Sequence, residues 1–112
     1  MAIEKLIRIS KYLTNTDTKI PYNFKNFLAD DVVIIDISHK KEYRGDKELK
    51  IYHTKWNPSR ITIKDIREQG DGSILVEYDI KIYILSFHKK AKFELDDNTF
   101  LIKKITLVNK QT

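Results

Sequence analysis

The sequence has no cysteine and only three glycines and two prolines among its 112 residues. The absence of cysteine excludes disulfides, thiolate nucleophiles, iron–sulfur clusters and cysteine-based zinc sites. No apolar run approaches the roughly 20 residues that cross a bilayer. Charges at Glu4, Lys5 and Arg8 also interrupt the apolar core that a signal peptide requires. We therefore expect no membrane partner, and the cytoplasm is the expected location by elimination.

The composition is that of one ordinary globular domain, which we expect to span residues 1–112. Hydrophobic residues make up 41% of the chain and charged residues 33%, which is too apolar for a disordered segment. The 21 lysines and arginines outnumber the 16 acids, which raises the question of nucleic-acid binding. Acidic residues interrupt both basic stretches, however, and dilute the field that phosphate groups need. The charge pattern therefore disfavours a nucleic-acid partner.

Helical periodicity in the N-terminal half predicts three helices. The first covers residues 2–13, and the second is short and carries Phe24, Phe27 and Leu28. Asp46 is placed to cap the third helix, because its carboxylate can accept backbone N–H groups at a helix start. The apolar face of this third helix is formed by Leu49, Tyr52, His53 and Trp56.

Alternation of apolar and polar residues predicts that the remainder is a β-sheet. A run of β-branched residues at 32–37 is typical of a strand buried on both faces, and residues 74–85 form the longest alternating segment. The alternation of apolar and polar residues is broken near Lys64 and Asp65, which indicates a β-bulge. Residues 70–73 have the composition of a hairpin turn. The predicted fold class is therefore α+β: a cone-shaped, strongly curved antiparallel sheet covered by three helices from the N-terminal half. Such a cone can enclose a pocket.

This order of elements resembles the nuclear transport factor 2-like superfamily. The residues that carry the resemblance are the segment 27–36 with its Ala-Asp-Asp-Val motif, the Tyr43-Arg44-Gly45 turn, and a helix that ends in Trp56. The superfamily includes ketosteroid isomerases, SnoaL-like polyketide cyclases and scytalone dehydratase. The resemblance covers nearly the whole chain and implies the cystatin-like α+β fold, but it carries little information about function.

The resemblance also implies candidate catalytic residues. Asp36 matches the position of the general-base aspartate of ketosteroid isomerases, and Tyr12 matches their oxyanion-hole tyrosine. The position of their second acid falls near Lys89, and a lysine cannot replace a neutral carboxylic acid as a hydrogen-bond donor without changing the chemistry. Steroid isomerase activity is therefore disfavoured, whereas a ligand pocket is expected.

Each candidate also has a plain structural interpretation. Asp36 is either a general base in a dry pocket or a carboxylate that accepts N–H groups in the turn through Ser38. Tyr12 either directs its hydroxyl group toward a ligand or packs its ring in the core and keeps the hydroxyl group in contact with water. His53 is an acid, a base or a core histidine with a satisfied nitrogen. We expect the pocket to be lined by Trp56, Tyr78, Phe27 and Lys89.

The three histidines, His39, His53 and His88, lack metal-ligand spacing, and no glycine-rich phosphate loop is present, so we expect neither a metal nor a cofactor. The leading hypothesis is a pocket protein that binds a small apolar or carbonyl-containing molecule. Its catalytic form would be a cofactor-independent acid–base isomerase, lyase or cyclase that uses Asp36, Tyr12 and His53. The alternative is a noncatalytic dimerisation or protein-interaction module of the same fold. In either case we expect a homodimer through the outer sheet face that carries Glu77, Asp79, Lys81 and Tyr83.

Overall fold

The computed structural model describes residues 2–14, 23–55 and 60–108. In these ranges the chain forms two α-helices, one 3-10 turn and six strands that belong to one sheet. In chain order they are α1 (Ala2–Thr14), the 3-10 turn (Asn23–Asn26), β1 (Leu28–Asp36), β2 (Lys41–Arg44), α2 (Gly45–Lys55), β3 (Arg60–Glu68), β4 (Ile74–Ile82), β5 (Leu85–Leu95) and β6 (Ile102–Val108). The predicted α+β class with a curved sheet is confirmed.

The strands lie in the order β2-β1-β6-β5-β4-β3, and the sheet is not closed into a barrel. The β1–β6 pair is parallel and the other pairs are antiparallel. The predicted bulge in β3 is confirmed, because the register with β4 shifts between Ile63 and Asp65. A second shift follows Glu94 in β5. Bulges bend a strand and increase its twist, so these irregularities account for the curvature of the sheet.

The inner, concave face of the sheet carries the core. Alternate residues of β4 are buried there, and they pair with the buried residues Ala91 and Phe93 of β5. α1 contributes the buried residues Ile9, Tyr12 and Leu13, as its helical spacing predicts. α2 contributes its predicted face through the buried Leu49 and His53 and the half-buried Tyr52. In the described ranges neither helix is long and apolar enough to cross a bilayer.

The prediction of a second α-helix is wrong for the residues that the structure describes. From residue 23 to β1 they form a single 3-10 turn, and the strand begins at Leu28, four residues earlier than the sequence predicts. Leu28 pairs with Ile102 of β6, and this contact draws the segment into the sheet. Asp30 and Asp31, expected to end a helix, are exposed residues of β1. Their polarity is accommodated because the β1–β6 register is irregular between Leu28 and Val33.

The long strand predicted for residues 74–85 is also interrupted. β4 ends at Ile82, and Tyr83 and Ile84 form a two-residue turn before β5 starts at Leu85. Tyr83 adopts a φ of 56°, in the left-handed region that two-residue hairpin turns require. The turn has none of the glycine, asparagine or aspartate residues that mark such hairpins, so the alternating pattern continues through it unbroken.

Two phenylalanines of β5 test this account of the core. Phe93 is 1% exposed, whereas Phe87, on the same strand and the same face, is 42% exposed. We expect Phe93→Ala to lower the free energy of unfolding by about 3–5 kcal/mol, because it removes a packed ring and leaves a cavity. We expect Phe87→Ala to lower it by less than about 1 kcal/mol. Urea denaturation of both variants measures the difference, and equal losses would contradict the assigned face of β5.

Candidate functional site

A hydrogen bond between Tyr12 and His53 joins the two helices inside the protein. The Tyr12 hydroxyl lies 2.7 Å from Nε2 of His53, and Nδ1 of the same ring lies 2.7 Å from the backbone carbonyl oxygen of Leu49. Both side chains are buried. Residues 41 positions apart in sequence are thereby fixed against each other above the sheet.

The protonation of this pair follows from its partners. Burial lowers the pKa of His53 to about 4, against the opposing effect of the Leu49 carbonyl, so the ring is neutral at neutral pH. A carbonyl oxygen can only accept, so Nδ1 carries the proton and Nε2 accepts the Tyr12 hydroxyl hydrogen. Burial, and then the proximity of Tyr78, raises the pKa of Tyr12, which keeps its proton. The pair is a neutral structural link in this state.

Two cavities whose lining is described share a wall inside the protein. One, which we call the inner cavity, has a volume of about 20 Å³, room for one water molecule, and Tyr12 and His53 lie in its lining. The other, which we call the cleft, has a volume of about 70 Å³ and contains Asp36 in its lining. Tyr52, Tyr78 and Ile80 line both cavities. Of the predicted catalytic residues, Tyr12 and His53 therefore line one of these cavities and Asp36 lines the other.

Asp36 closes the turn through Ser38, as one of its two interpretations predicts, and it also lines the cleft. Its carboxylate accepts hydrogen bonds from the Ser38 hydroxyl at 3.0 Å, the His39 backbone N–H at 3.2 Å and Nδ1 of His39 at 2.8 Å. Burial raises the pKa of Asp36, but the hydrogen bonds from His39 and Ser38 more than offset this effect and hold the pKa below its ordinary value. The carboxylate is therefore ionised and weakly basic.

Tyr78 places a hydroxyl group in the cleft wall. The residue is 4% exposed and lies in β4 directly opposite Lys89 of β5, which also lines the cleft. Burial, and then the charge of Asp36, raises the pKa of Tyr78, so the hydroxyl keeps its proton. Within residues 2–14, 23–55 and 60–108, no protein group hydrogen-bonds this hydroxyl. A buried donor with no protein partner is costly unless a water molecule or a ligand satisfies it.

The other predicted lining residues are placed differently. The half-buried Phe27 packs edge-on against the Tyr12 ring, with 6.3 Å between ring centroids. Trp56 lies outside the described residues.

The sequence did not indicate that Tyr52 forms a cavity wall, because its helical spacing also fits packing in the core. The ring of Tyr52 lies against Tyr43 of β2, with 5.0 Å between centroids, and burial raises the pKa of Tyr52 well above its ordinary value.

A third depression, of about 290 Å³, lies between the 3-10 turn and the start of α2. Its charged side chains, Lys25, Asp30 and Asp46, are all exposed, and Lys25 lies 3.4 Å from Asp46. Instead of Asp46, the predicted cap, Glu48 accepts the Arg44 backbone N–H at this end of α2. With no desolvated polar group, the depression is a weaker candidate than the cleft.

No group of three metal-ligating side chains occurs among the residues whose positions are described. The cleft brings together the weakly basic Asp36 carboxylate, the neutral Tyr78 hydroxyl and the ammonium groups of Lys89 and Lys90. Such a set can hold a polar oxygen atom of a small molecule.

Comparison with solved structures shows that the fold is nuclear transport factor 2-like. An NTF2-like protein of unknown function from Cytophaga hutchinsonii superposes with a TM-score of 0.75 at 12% identity, over 93% of this chain and 88% of its own. A putative ketosteroid isomerase from Kribbella flavida superposes with a TM-score of 0.78 at 14% identity, over 97% of this chain and 81% of its own. The epoxide hydrolase/cyclase-like enzyme SalBIII, which has a role in pyran ring formation in salinomycin, superposes with a TM-score of 0.80 at 14% identity. The superposition covers 96% of this chain and 92% of SalBIII. No protein-family model and no curated protein matches the sequence.

The buried imidazole makes stability depend on pH. Burial lowers the pKa of His53 from 6.5 to about 4, so the unfolded chain takes up the proton first as the pH falls. The stabilisation is therefore complete above pH 6.5 and is lost toward pH 4, with a loss of about 3 kcal/mol. We expect His53→Gln to flatten this part of the stability profile. Urea denaturation across the pH range measures it, and an unchanged slope in the variant would refute the assignment.

Proposed function

We propose that this protein binds a small carbonyl-containing molecule in the cleft beside Asp36 and Tyr78. The observation that carries the proposal is the buried Tyr78 hydroxyl, which has no protein partner in the described part of the chain and lines the cleft. A carbonyl oxygen can only accept hydrogen bonds, and the protonated Tyr78 hydroxyl can donate one. The ligand would thereby satisfy a donor that is otherwise buried and unpaired.

The walls of the cleft limit the ligand further. Ile80, Leu107 and Val108 supply apolar surface, while Lys89 and Asp36 supply charge near Tyr78. With a volume of about 70 Å³, the cleft suits a small ring or a short branched chain.

Binding is better supported than turnover. Asp36 is the general base that the resemblance implies, but its three hydrogen bonds hold its pKa low and weaken it as a proton acceptor. Tyr12 and His53 bond each other across the inner cavity, so a catalytic role for either would require that bond to break. Acid–base catalysis by Asp36, Tyr12 and His53 therefore stays a prediction of the resemblance. The enzymes that share the fold lend support to a ligand-binding cavity.

Cyclopent-2-enone is a suitable probe, with cyclopentene as the apolar control of the same ring size. We expect NMR titration to show that the enone binds and shifts the signals of residues around Tyr78. Tyr78→Phe should weaken enone binding about 3- to 10-fold, because it removes one hydrogen bond to the carbonyl. Tyr83→Phe is the matched control, since Tyr83 is 85% exposed in the β4–β5 turn, and this variant should bind as the wild type does.

Two results would overturn the proposal. One is equal binding of cyclopentenone and cyclopentene, which would mean that Tyr78 contributes no polar recognition. The other is an equal effect of the Tyr78 and Tyr83 substitutions. Asp36-dependent exchange of the α-protons of cyclopentanone with deuterated solvent, followed by NMR, would instead establish Asp36 as a base and add catalysis to binding.

A second proposal concerns the outer face of the sheet. Register places Leu75, Lys92, Thr106 and Ile35 in one row across four strands of this face, so two apolar side chains flank two polar ones. Tyr83, expected on this face, lies in the turn instead. We propose that two copies pair through the row, and that Leu75→Glu converts the dimer to a monomer in analytical ultracentrifugation. A monomeric wild type would contradict this.

The cytoplasmic location stays a prediction of the sequence.

A further inference from the structure

The β4–β5 hairpin ends in an exposed apolar turn, which we call the hairpin tip and define as Tyr83, Ile84, Leu85 and Phe87. Tyr83 is 85% exposed and Ile84 is 92% exposed, while Leu85 and Phe87 are also exposed. The register of neighbouring strands stops short of the tip, because β3 begins opposite Lys81 and β6 ends opposite Lys90. The tip therefore projects beyond the described part of the sheet. Exposed apolar clusters of this kind mark interaction sites.

Positive charge gathers at the same end of the sheet. The strand register brings the C-terminal ends of β1, β4 and β6 and the N-terminal ends of β2, β3 and β5 to this end. The cations on these strand ends and the adjoining turn are Lys40, Lys41, Arg60 and Lys81. Lys89 and Lys90 lie further along β5, where Lys90 is opposite the C-terminal end of β6.

The acids at this end, Asp36, Glu42, Glu77 and Asp79, are fewer than the cations. Asp36 is bonded by His39, Asp79 lies 2.8 Å from Nδ1 of His88, and Glu42 lies 3.0 Å from Nε of Arg44. The surface around the hairpin tip therefore combines apolar side chains with an excess of positive charge. An anionic lipid surface is complementary to both features, because apolar groups enter its interfacial layer while cations contact the headgroups.

The charge beside the tip favours this occupant over a second copy of the chain. Two copies that paired through their tips would bring the same positive charges together, and like charges that face each other weaken an interface. A narrow projection with aromatic and branched aliphatic groups and flanking lysines fits the interfacial layer of a bilayer.

We propose that the hairpin tip docks this protein onto the surface of an anionic membrane. No segment needs to cross the bilayer for such docking. Tyr83, Ile84 and Leu85 insert among the headgroups, and Arg60 and Lys81 contact the lipid phosphates.

Vesicle co-sedimentation of the full chain tests the proposal. We expect binding to phosphatidylcholine vesicles that contain phosphatidylserine, weaker binding to phosphatidylcholine alone, and release at high salt. Ile84→Asp should lower the affinity about tenfold or more, because it places a charge where an apolar group inserts. Lys81→Gln should lower the affinity about fivefold through loss of one headgroup contact.

Ile3→Asp is the matched control. Ile3 is 56% exposed on α1, near Lys5, which bonds Asp97 in the turn after β5 at the opposite end of the sheet. This variant should bind vesicles as the wild type does, and thermal melts of all variants verify folding. Failure of the wild type to bind either vesicle would overturn the proposal, as would equal losses in Ile84→Asp and Ile3→Asp. Self-association that Ile84→Asp abolishes, without vesicle binding, would assign the tip to a second copy of the chain.

Discussion

The hydrogen bond between Tyr12 and His53 is the interaction on which the arrangement of the interior depends. It joins α1 to α2 at 2.7 Å above the concave face of the sheet, and the Leu49 carbonyl fixes the ring from its other side. Because the ring is buried and neutral, the link adds no charge to the core. The His53 ring lies edge-on to Tyr52, with 5.3 Å between centroids, so the same link positions the wall between the two cavities.

The two cavities described inside the protein share Tyr52, Tyr78 and Ile80 as a wall. The inner cavity has room for one water molecule beside the bonded Tyr12–His53 pair. The cleft keeps a hydroxyl donor, a carboxylate and ammonium groups at one place. The chain thus combines a nuclear transport factor 2-like fold with a cleft whose carboxylate is already satisfied by Ser38 and His39. Binding of a small polar oxygen follows from this arrangement more directly than proton transfer does.

Local patterns in the sequence predicted those features that depend on neighbours along the chain. The break in alternation at Lys64 and Asp65 revealed the β3 bulge, and helical spacing placed Leu49 and His53 on one face. The β1 start at Leu28 depends on Ile102, which lies far away in sequence, and helical spacing could not reveal it. The Tyr83-Ile84 turn lacked the residues that usually mark a hairpin. The resemblance supplied Asp36 and Tyr12, but only tertiary contacts show that they line different cavities.

The central claim is that the Tyr78 hydroxyl is kept for a group from outside the protein. A high-resolution crystal structure of the protein, purified without carbonyl compounds and then soaked with cyclopentenone, tests it most directly. The account predicts an ordered water within hydrogen-bond distance of this hydroxyl before soaking, and the carbonyl oxygen in the same position afterwards. A Tyr78 hydroxyl that donates to a protein atom, with side chains filling the cleft, would contradict the account.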